Sequence, residues 1–515
     1  MEQDSVPARK SQKFTAVFVI SLFLTACIGG WGLINPEGMT GVFTGFTSYM
    51  LKGISWYWLL ITTGLLILSG YMAFGPYGHI RLGGDDERPE FSTASWLSML
   101  FASGMGAGIL FWGVAEPISH FRDPPGMVGG TAHAAREAMV ITNLHWGLHA
   151  WAIYGVCALV IAYFSFRRGM GSTISTPLTV LFTSRMGKSF CTAADVLGVL
   201  AVVFGLAGSL TMGIYQIGGG LNAVFDFEPT KTLSLMIMAA LFACYMLSAS
   251  TGLSKGIKIL SQLNMLIAIA MLAIVMFFGP TAFIMESFIN SFGEYVSRLP
   301  QMAFKLFPYE GLSEWTSGWT LNYLIWWLAW GPFVGVFIAR ISRGRTIREF
   351  CIGVVIAPTL FSIMWFSAFG GAAIYIELFG SGGLSELVSA DVTSALFKFL
   401  NYFPMGEMLG AVACVLIFIF LVTSADSGTF VLSMMTMNGN LNPSLSHKMV
   451  WGVLIAAITI GTVLSGSVPV ARAMAITGAL PFSVVLLLQI VGFLREIRKE
   501  LRGPARQPDH IAGRQ

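Results

Sequence analysis

Trp326-Trp327-Leu328-Ala329-Trp330-Gly331-Pro332 lies at the centre of an apolar segment running over about 318–340. With Trp315 and Trp319 it places five tryptophans within sixteen residues. Tryptophan normally gathers at the membrane–water boundary, where both its ring and its N–H are satisfied. A cluster at mid-span therefore needs another cause. That the segment is a membrane span follows from the whole chain. Its 515 residues are 55% hydrophobic and 11% charged, with mean hydropathy +0.73. A soluble domain carries about 25% charged residues.

Windows long enough to cross a bilayer fall at about 14–34, 54–74, 93–117, 137–164, 191–220, 232–249, 256–279, 318–340, 348–371, 404–434, 447–466 and 472–494. Twelve spans place both termini on one side. The segments on that side hold 22 of the 30 Lys and Arg, so both termini are expected to be cytoplasmic. Residues 281–300 carry Ile284, Phe288, Phe292, Tyr295 and Leu299 at helical spacing and read as an amphipathic helix on the outer surface. Residues 376–403 read as an outer loop with a short helix. Arg9, Lys10 and Lys13 precede the first span without a small-residue cleavage site, so that span reads as retained and not as a signal peptide. The expected units are a tail at 1–13, two spans and a loop at 14–92, five spans at 93–279, the amphipathic helix and loop at 280–317, five spans at 318–494, and a tail at 495–515. The six cysteines show no paired spacing, so neither a disulfide framework nor a zinc site is expected.

Two spans read as broken. The third carries Gly104-Met105-Gly106-Ala107-Gly108, where alternate glycines weaken the helix and let backbone approach a ligand. The eighth carries Gly331-Pro332, where proline removes a donor and bends the axis. The two spans open successive sets of five, the pattern of a transporter built from inverted repeats. Ordinary glycine-mediated helix packing is the competing reading.

The aromatic residues suggest what is carried. Trp326, Trp327 and Trp330 cluster on one side of the eighth span, and Trp151 and Tyr154 share a face of the fourth. Two such faces could meet around a cation; core or lipid-facing packing is the alternative. An indole face attracts a cation without the cost of an empty carboxylate in the bilayer, at about 0.5–2 kcal/mol per contact. Three or four contacts give roughly 2–6 kcal/mol, short of the ~8 kcal/mol of micromolar binding. Backbone N–H groups freed at Gly104, Gly106 and Gly108 could take a carboxylate, which describes a zwitterion with a quaternary ammonium. Thr423 and Ser424 of the tenth span, with carbonyls freed in the third, supply oxygen for a hard cation such as Na⁺, with Asp426 capping or orienting the site. His145 and His149 are four apart but lack a third metal ligand. Hydrolase, nucleotide-binding and metalloprotease motifs are missing, so no enzyme is expected. Glu116 and Asp426 are isolated intramembrane acids of the kind a proton relay uses.

These motifs resemble the betaine/carnitine/choline transporter family along all twelve spans. The resemblance rests on Gly104–Gly113 with Glu116-Pro117, His145-Trp146 through Tyr154, Trp326 through Gly335, Ala339 through Phe350, and Val422 through Ser427. It implies an all-α integral membrane protein of twelve helices, with a LeuT-like 5+5 inverted repeat in helices 3–12 and two extra N-terminal helices. It also implies a homotrimer formed through the amphipathic helix, in the bacterial inner membrane. The family's aromatic box falls on Trp146, Trp151, Tyr154, Trp327 and Trp330, with Trp326 in the outer vestibule and Met105 among the glycines beside the substrate. Its sodium site falls on Ala102, Met105, Phe420, Thr423 and Ser424. No cofactor beyond Na⁺ as coupling ion is implied, and no nucleic-acid partner.

Three positions discriminate among members. Proton-coupled choline members carry Asp where Gly108 stands. Sodium-independent carnitine exchangers carry Arg where Asn264 stands. Members with a second sodium site place hydroxyls where Val202 and Leu206 stand, near a Phe matching Phe333. The first two favour Na⁺ symport of a zwitterion such as glycine betaine; the third leaves the second ion open. A proton-coupled or exchange transporter of carnitine or choline is the alternative.

Overall fold

The computed structural model describes residues 15–251, 256–465 and 473–501. The expected tail at 1–13, and the C-terminal tail beyond Leu501, lie outside them. The described residues form helices joined by short connections, with one isolated β-bridge between Arg81 and Thr346. In order the helices are α1 (Ala16–Ile34), α2 (Pro36–Gly53), α3 (Ser55–Phe74), α4 (Thr93–Gly104), α5 (Gly106–Arg122), α6 (Ala132–Trp146), α7 (Leu148–Ala162), α8 (Arg185–Phe225), α9 (Lys231–Thr251), α10 (Lys258–Phe278) and α11 (Thr281–Met302). They continue with α12 (Ser313–Thr316), α13 (Asn322–Ile341), α14 (Ile347–Phe366), α15 (Ala372–Phe379), α16 (Leu384–Ala390), α17 (Ala395–Leu400), α18 (Gly406–Thr436), α19 (Leu445–Ser465) and α20 (Ala479–Leu501).

Side-chain oxygens start many of these helices by accepting an orphan N–H of the first turn. Asn35 caps α2, with Pro36 at its first position. Ser92 caps α4, Thr131 caps α6 and Ser184 caps α8. Thr346 accepts from Glu349 N at 3.1 Å at the start of α14, the Thr-x-x-Glu pattern of a capping box. Among the described residues, ten helical stretches are long and apolar enough to cross a membrane, eleven when the bent pair α4–α5 counts as one span. Ala16–Trp31 is a shorter apolar helix. Helix α2 was not among the predicted spans; its four glycines and polar residues dilute the apolar signal.

The helix packing repeats with a shift of five spans. Helix α10 packs on α4, and α20 packs on α13. Helix α9 packs on α18, and α19 packs on α8. Helices α8 and α18 pack on each other, as do α9 and α19. Exchanging each helix for its counterpart in the other five-span unit turns any pair into another pair in this set, or into the same pair, as two interlocked units require.

The third span is broken as expected. Helices α4 and α5 meet at Met105 with a bend of 64°, and Gly106 takes φ +41°. The eighth span is not broken. Helix α13 runs without interruption through Gly331 and Pro332. A Cβ built on Gly331 would lie 2.8 Å from the Phe482 ring and 3.1 Å from Cys157 Sγ, so this glycine serves close packing against α20 and α7. The second interruption falls instead in the fourth span, at Gly147 between α6 and α7. There the Tyr295 hydroxyl of α11 accepts the Leu148 N–H at 3.0 Å.

A Cβ at a positive φ costs roughly 1–2 kcal/mol, so Gly106→Ala should lower the thermal unfolding midpoint in detergent. Gly64→Ala, in α3 with nothing within 4 Å of the added carbon, should leave that midpoint unchanged or raise it.

Candidate functional site

A cavity opens at the break between α4 and α5. It is lined by Gly104, Met105, Gly106 and Gly108 of the break and by Trp146, Trp326, Trp327 and Trp330, with Ser209, Gln216 and Ser424 among the polar residues. The positions open to the centre of a water-sized sphere fill about 40 Å³, room for about three waters.

Trp146, at the end of α6, meets Trp327 of α13 edge-to-face with ring centroids 5.1 Å apart. Trp326 stacks on Trp327 at 6.0 Å and lines the cavity with it. Trp151 and Tyr154 stand one layer behind. Tyr154 meets Trp327 at 6.0 Å and Trp151 meets Tyr154 at 5.9 Å, both edge-on. Neither lines the cavity.

The glycines play different parts. A Cβ on Gly104 would lie 2.8 Å from the Trp151 ring, and one on Gly108 would lie 3.2 Å from the Trp146 ring. These two positions are bare so that indoles can approach. The Gly108 N–H is not free, since it donates to Met105 O at 2.9 Å. Gly106 is the glycine that the backbone turn itself requires, and it opens α5, whose first N–H groups have no acceptor within the helix.

The break lies against α18. A Cβ on Gly106 would sit 3.4 Å from Ser424 Oγ and 3.9 Å from Phe420. Ala102 is buried at the end of α4, where helix geometry frees the last carbonyls. Thr423 donates its hydroxyl hydrogen to Phe420 O at 2.9 Å and accepts from Asn264 Nδ2 at 3.3 Å. Asn264 thus stands at this cluster as a neutral amide. Asp426 turns away from it and bonds Ser248 of α9. Val202 and Leu206 are buried, and Leu206 lines the cavity. Phe333 meets Trp330 at 5.5 Å.

Glu116, His120 and His145, all fully buried, form a unit beside the cavity that sequence reasoning did not assemble. His145 Nδ1 lies 2.6 Å and His120 Nε2 3.3 Å from Glu116 Oε1, while Trp146 Nε1 donates to Glu116 Oε2 at 2.6 Å. These three residues also offer a metal-ligand set, with ligand atoms within 4.8 Å of one another. Two ligands of one tetrahedral Zn²⁺ lie roughly 3.3 Å apart, given bonds of about 2.0–2.1 Å. The 2.6 Å contact is a hydrogen bond. His149 turns elsewhere, to Thr63 Oγ1 at 3.3 Å, so the spacing of His145 and His149 marks no shared metal. Tyr323 was also missed. It stacks over His145 at 4.8 Å and continues a ladder with Trp319 and Trp326. The signal was its position four residues after Trp319 and four before Trp327.

A family model described as BCCT, betaine/carnitine/choline family transporter, matches residues 16–502. The glycine betaine transporter OpuD of Bacillus subtilis (strain 168) is 40% identical over 490 residues, 95% of either chain. An ectoine/hydroxyectoine transporter of Virgibacillus pantothenticus is 38% identical over 492 residues, 95% of this chain and 98% of its own. A solved Na⁺-coupled sialic acid symporter aligns with 88% of this chain and 86% of its own, at 15% identity and TM-score 0.44, too distant a likeness to carry an argument.

Gly104→Val leaves no room for Trp151 beside the cavity wall. It should abolish saturable solute retention by the purified protein while the protein still inserts, as judged by membrane yield and size-exclusion profile.

Proposed function

Because the chain belongs to the betaine/carnitine/choline transporter family, and so is a multi-pass membrane transporter and not an enzyme, we propose that it imports a small zwitterion with a quaternary-ammonium head, of the glycine betaine type, by Na⁺ symport. The observation that carries this reading is the cavity itself, where four indoles face a helix break. The indoles suit the cation. The N-terminal turn of α5 suits the carboxylate. The oxygens of Thr423, Ser424, Phe420, Ala102 and Met105 suit Na⁺ as a hard ion. The aromatic box operates with Trp146, Trp326, Trp327 and Trp330 against the ligand and with Trp151 and Tyr154 bracing it. Transport proceeds by alternating access of the two five-span units, in the bacterial inner membrane with both termini cytoplasmic, and the transporter assembles as a homotrimer.

One Na⁺ entering down about −100 mV and a tenfold gradient releases roughly 3.7 kcal/mol. That sustains a concentration ratio of about 500 for a neutral zwitterion. The buried hydrocarbons of Val202 and Leu206 offer no oxygen for a second ion, so one Na⁺ per substrate is the stoichiometry we propose.

In proteoliposomes, replacing Na⁺ by K⁺ should abolish uptake of labelled betaine, and Thr423→Val should raise the half-saturating Na⁺ concentration at least tenfold. Uptake driven equally by a proton gradient alone, or only by internal substrate, would select the proton-coupled or exchange reading. The charge on the head can be tested without mutation. 3,3-Dimethylbutanoate replaces the nitrogen of betaine by carbon and keeps its shape. It should compete at least 30-fold more weakly, the loss of about 2 kcal/mol of cation–π attraction. Equal competition by the two would refute the aromatic cage. Including ectoine and carnitine in the same competition series ranks the substrates.

A further inference from the structure

An acid in the apolar interior is costly unless every one of its lone pairs is met, and its partners point to its purpose. Glu116 sits on α5, at the level of the end of α6. An ionised carboxylate only accepts, so the nitrogens facing it carry hydrogens. His145 and His120 donate to Oε1, and the Trp146 indole donates to Oε2 at 2.6 Å. Through its other ring nitrogen, Nε2, His145 is hydrogen-bonded to Thr320 Oγ1 at 3.0 Å, just before α13. The backbone carbonyl of the same His145, near the interruption at Gly147, accepts the Trp327 indole N–H at 2.8 Å. Two indoles of the cavity wall are therefore anchored by their N–H groups to one small polar unit, which leaves their faces to the ligand.

We propose that Glu116, held by His145 and His120, is a positioning residue of the substrate site: it fixes the Trp146 ring as a wall of the cavity through the indole N–H and does not act through its charge on the ligand. This rests on the zwitterion-transporter reading only for its consequence, binding affinity; the tether itself involves protein groups alone. Its neighbours Tyr323, Trp327 and Phe366 are ring contacts at 5.1–5.5 Å and Gly108 lies close against the ring; the bond to Glu116 adds the directional contact at the indole N–H.

The geometry separates a tether from a charge. Glu116→Gln loses the charge but keeps an oxygen for the Trp146 N–H, while its NH₂ faces a His145 Nδ1 that accepts after a change of tautomer. Glu116→Leu keeps neither. The first measurement needs no ligand: the ultraviolet resonance Raman signature of a strongly hydrogen-bonded indole N–H, assigned to Trp146 by its loss in Trp146→Phe. It should be lost in Glu116→Leu and kept in Glu116→Gln; persistence in Glu116→Leu overturns the tether. The second is the Kd and the KM-against-Vmax split for labelled glycine betaine. Glu116→Gln should stay within threefold of the parent Kd. Glu116→Leu should raise Kd and KM at least tenfold with Vmax changed less than threefold, and that effect should shrink below threefold in the Trp146→Phe background, which keeps a ring face without the N–H. If Glu116→Leu does not fold, Trp146→Phe alone should still raise Kd three- to tenfold. Equal damage from Glu116→Gln and Glu116→Leu, or an undiminished Glu116 effect in the Trp146→Phe background, overturns the proposal. A parent protein that shows the Raman signature but binds no betaine refutes the substrate reading and leaves the tether standing.

Discussion

The bilayer interior offers no water to a broken helix, so every backbone group released by a break must meet protein or ligand. The 64° break at Met105 is the point on which this structure turns. It sets the start of α5 and the end of α4 against the hydroxyls of α18, and it leaves a cavity in the angle. The five-span packing shift follows the same economy: α10 closes over α4, α18 lies across the break, and each contact has a counterpart in the other unit. Where a break was expected but no ligand-facing backbone is needed, at Gly331-Pro332, the helix stays continuous and spends its glycine on packing.

The indoles obey a second form of the same rule. A buried indole N–H left without an acceptor is a cost, yet the ring faces are what a cation needs. Trp146 and Trp327 resolve this by bonding edge-on to Glu116 and to His145 O. Trp330 does not: its Nε1 is buried without a protein partner, as is that of Trp151. Of the four indoles that line the cavity, two are therefore anchored through their N–H groups.

Much of this was legible in the chain. Apolar windows located the spans because a bilayer demands an uninterrupted apolar run. Gly104 through Gly108 marked the broken third span because alternate glycines weaken a helix. Helix α2 escaped notice because its composition is mixed. Glu116 stood in the sequence as an isolated acid, and His120 and Tyr323 went unnoticed; the three fall on two helices, α5 and α13, and none of them belongs to a motif with Trp146 except by contact. Trp151 lies one layer behind the cavity lining: helical spacing gives a face, and the face of α7 that carries Trp151 is covered by Phe101 and Gly104.

By itself the sequence determined that this is a polytopic helical membrane protein with a glycine-broken third span, a tryptophan cluster at mid-span and hydroxyls waiting on the tenth, since each is a matter of local composition read against the bilayer. Only the tertiary structure decided which indoles touch the cavity, which glycine turns the backbone and which two merely make room, and that a buried glutamate holds the wall. Those depend on distances between helices far apart in sequence, and a hydrogen bond of 2.6 Å between α5 and α6 leaves no trace in the spacing of either.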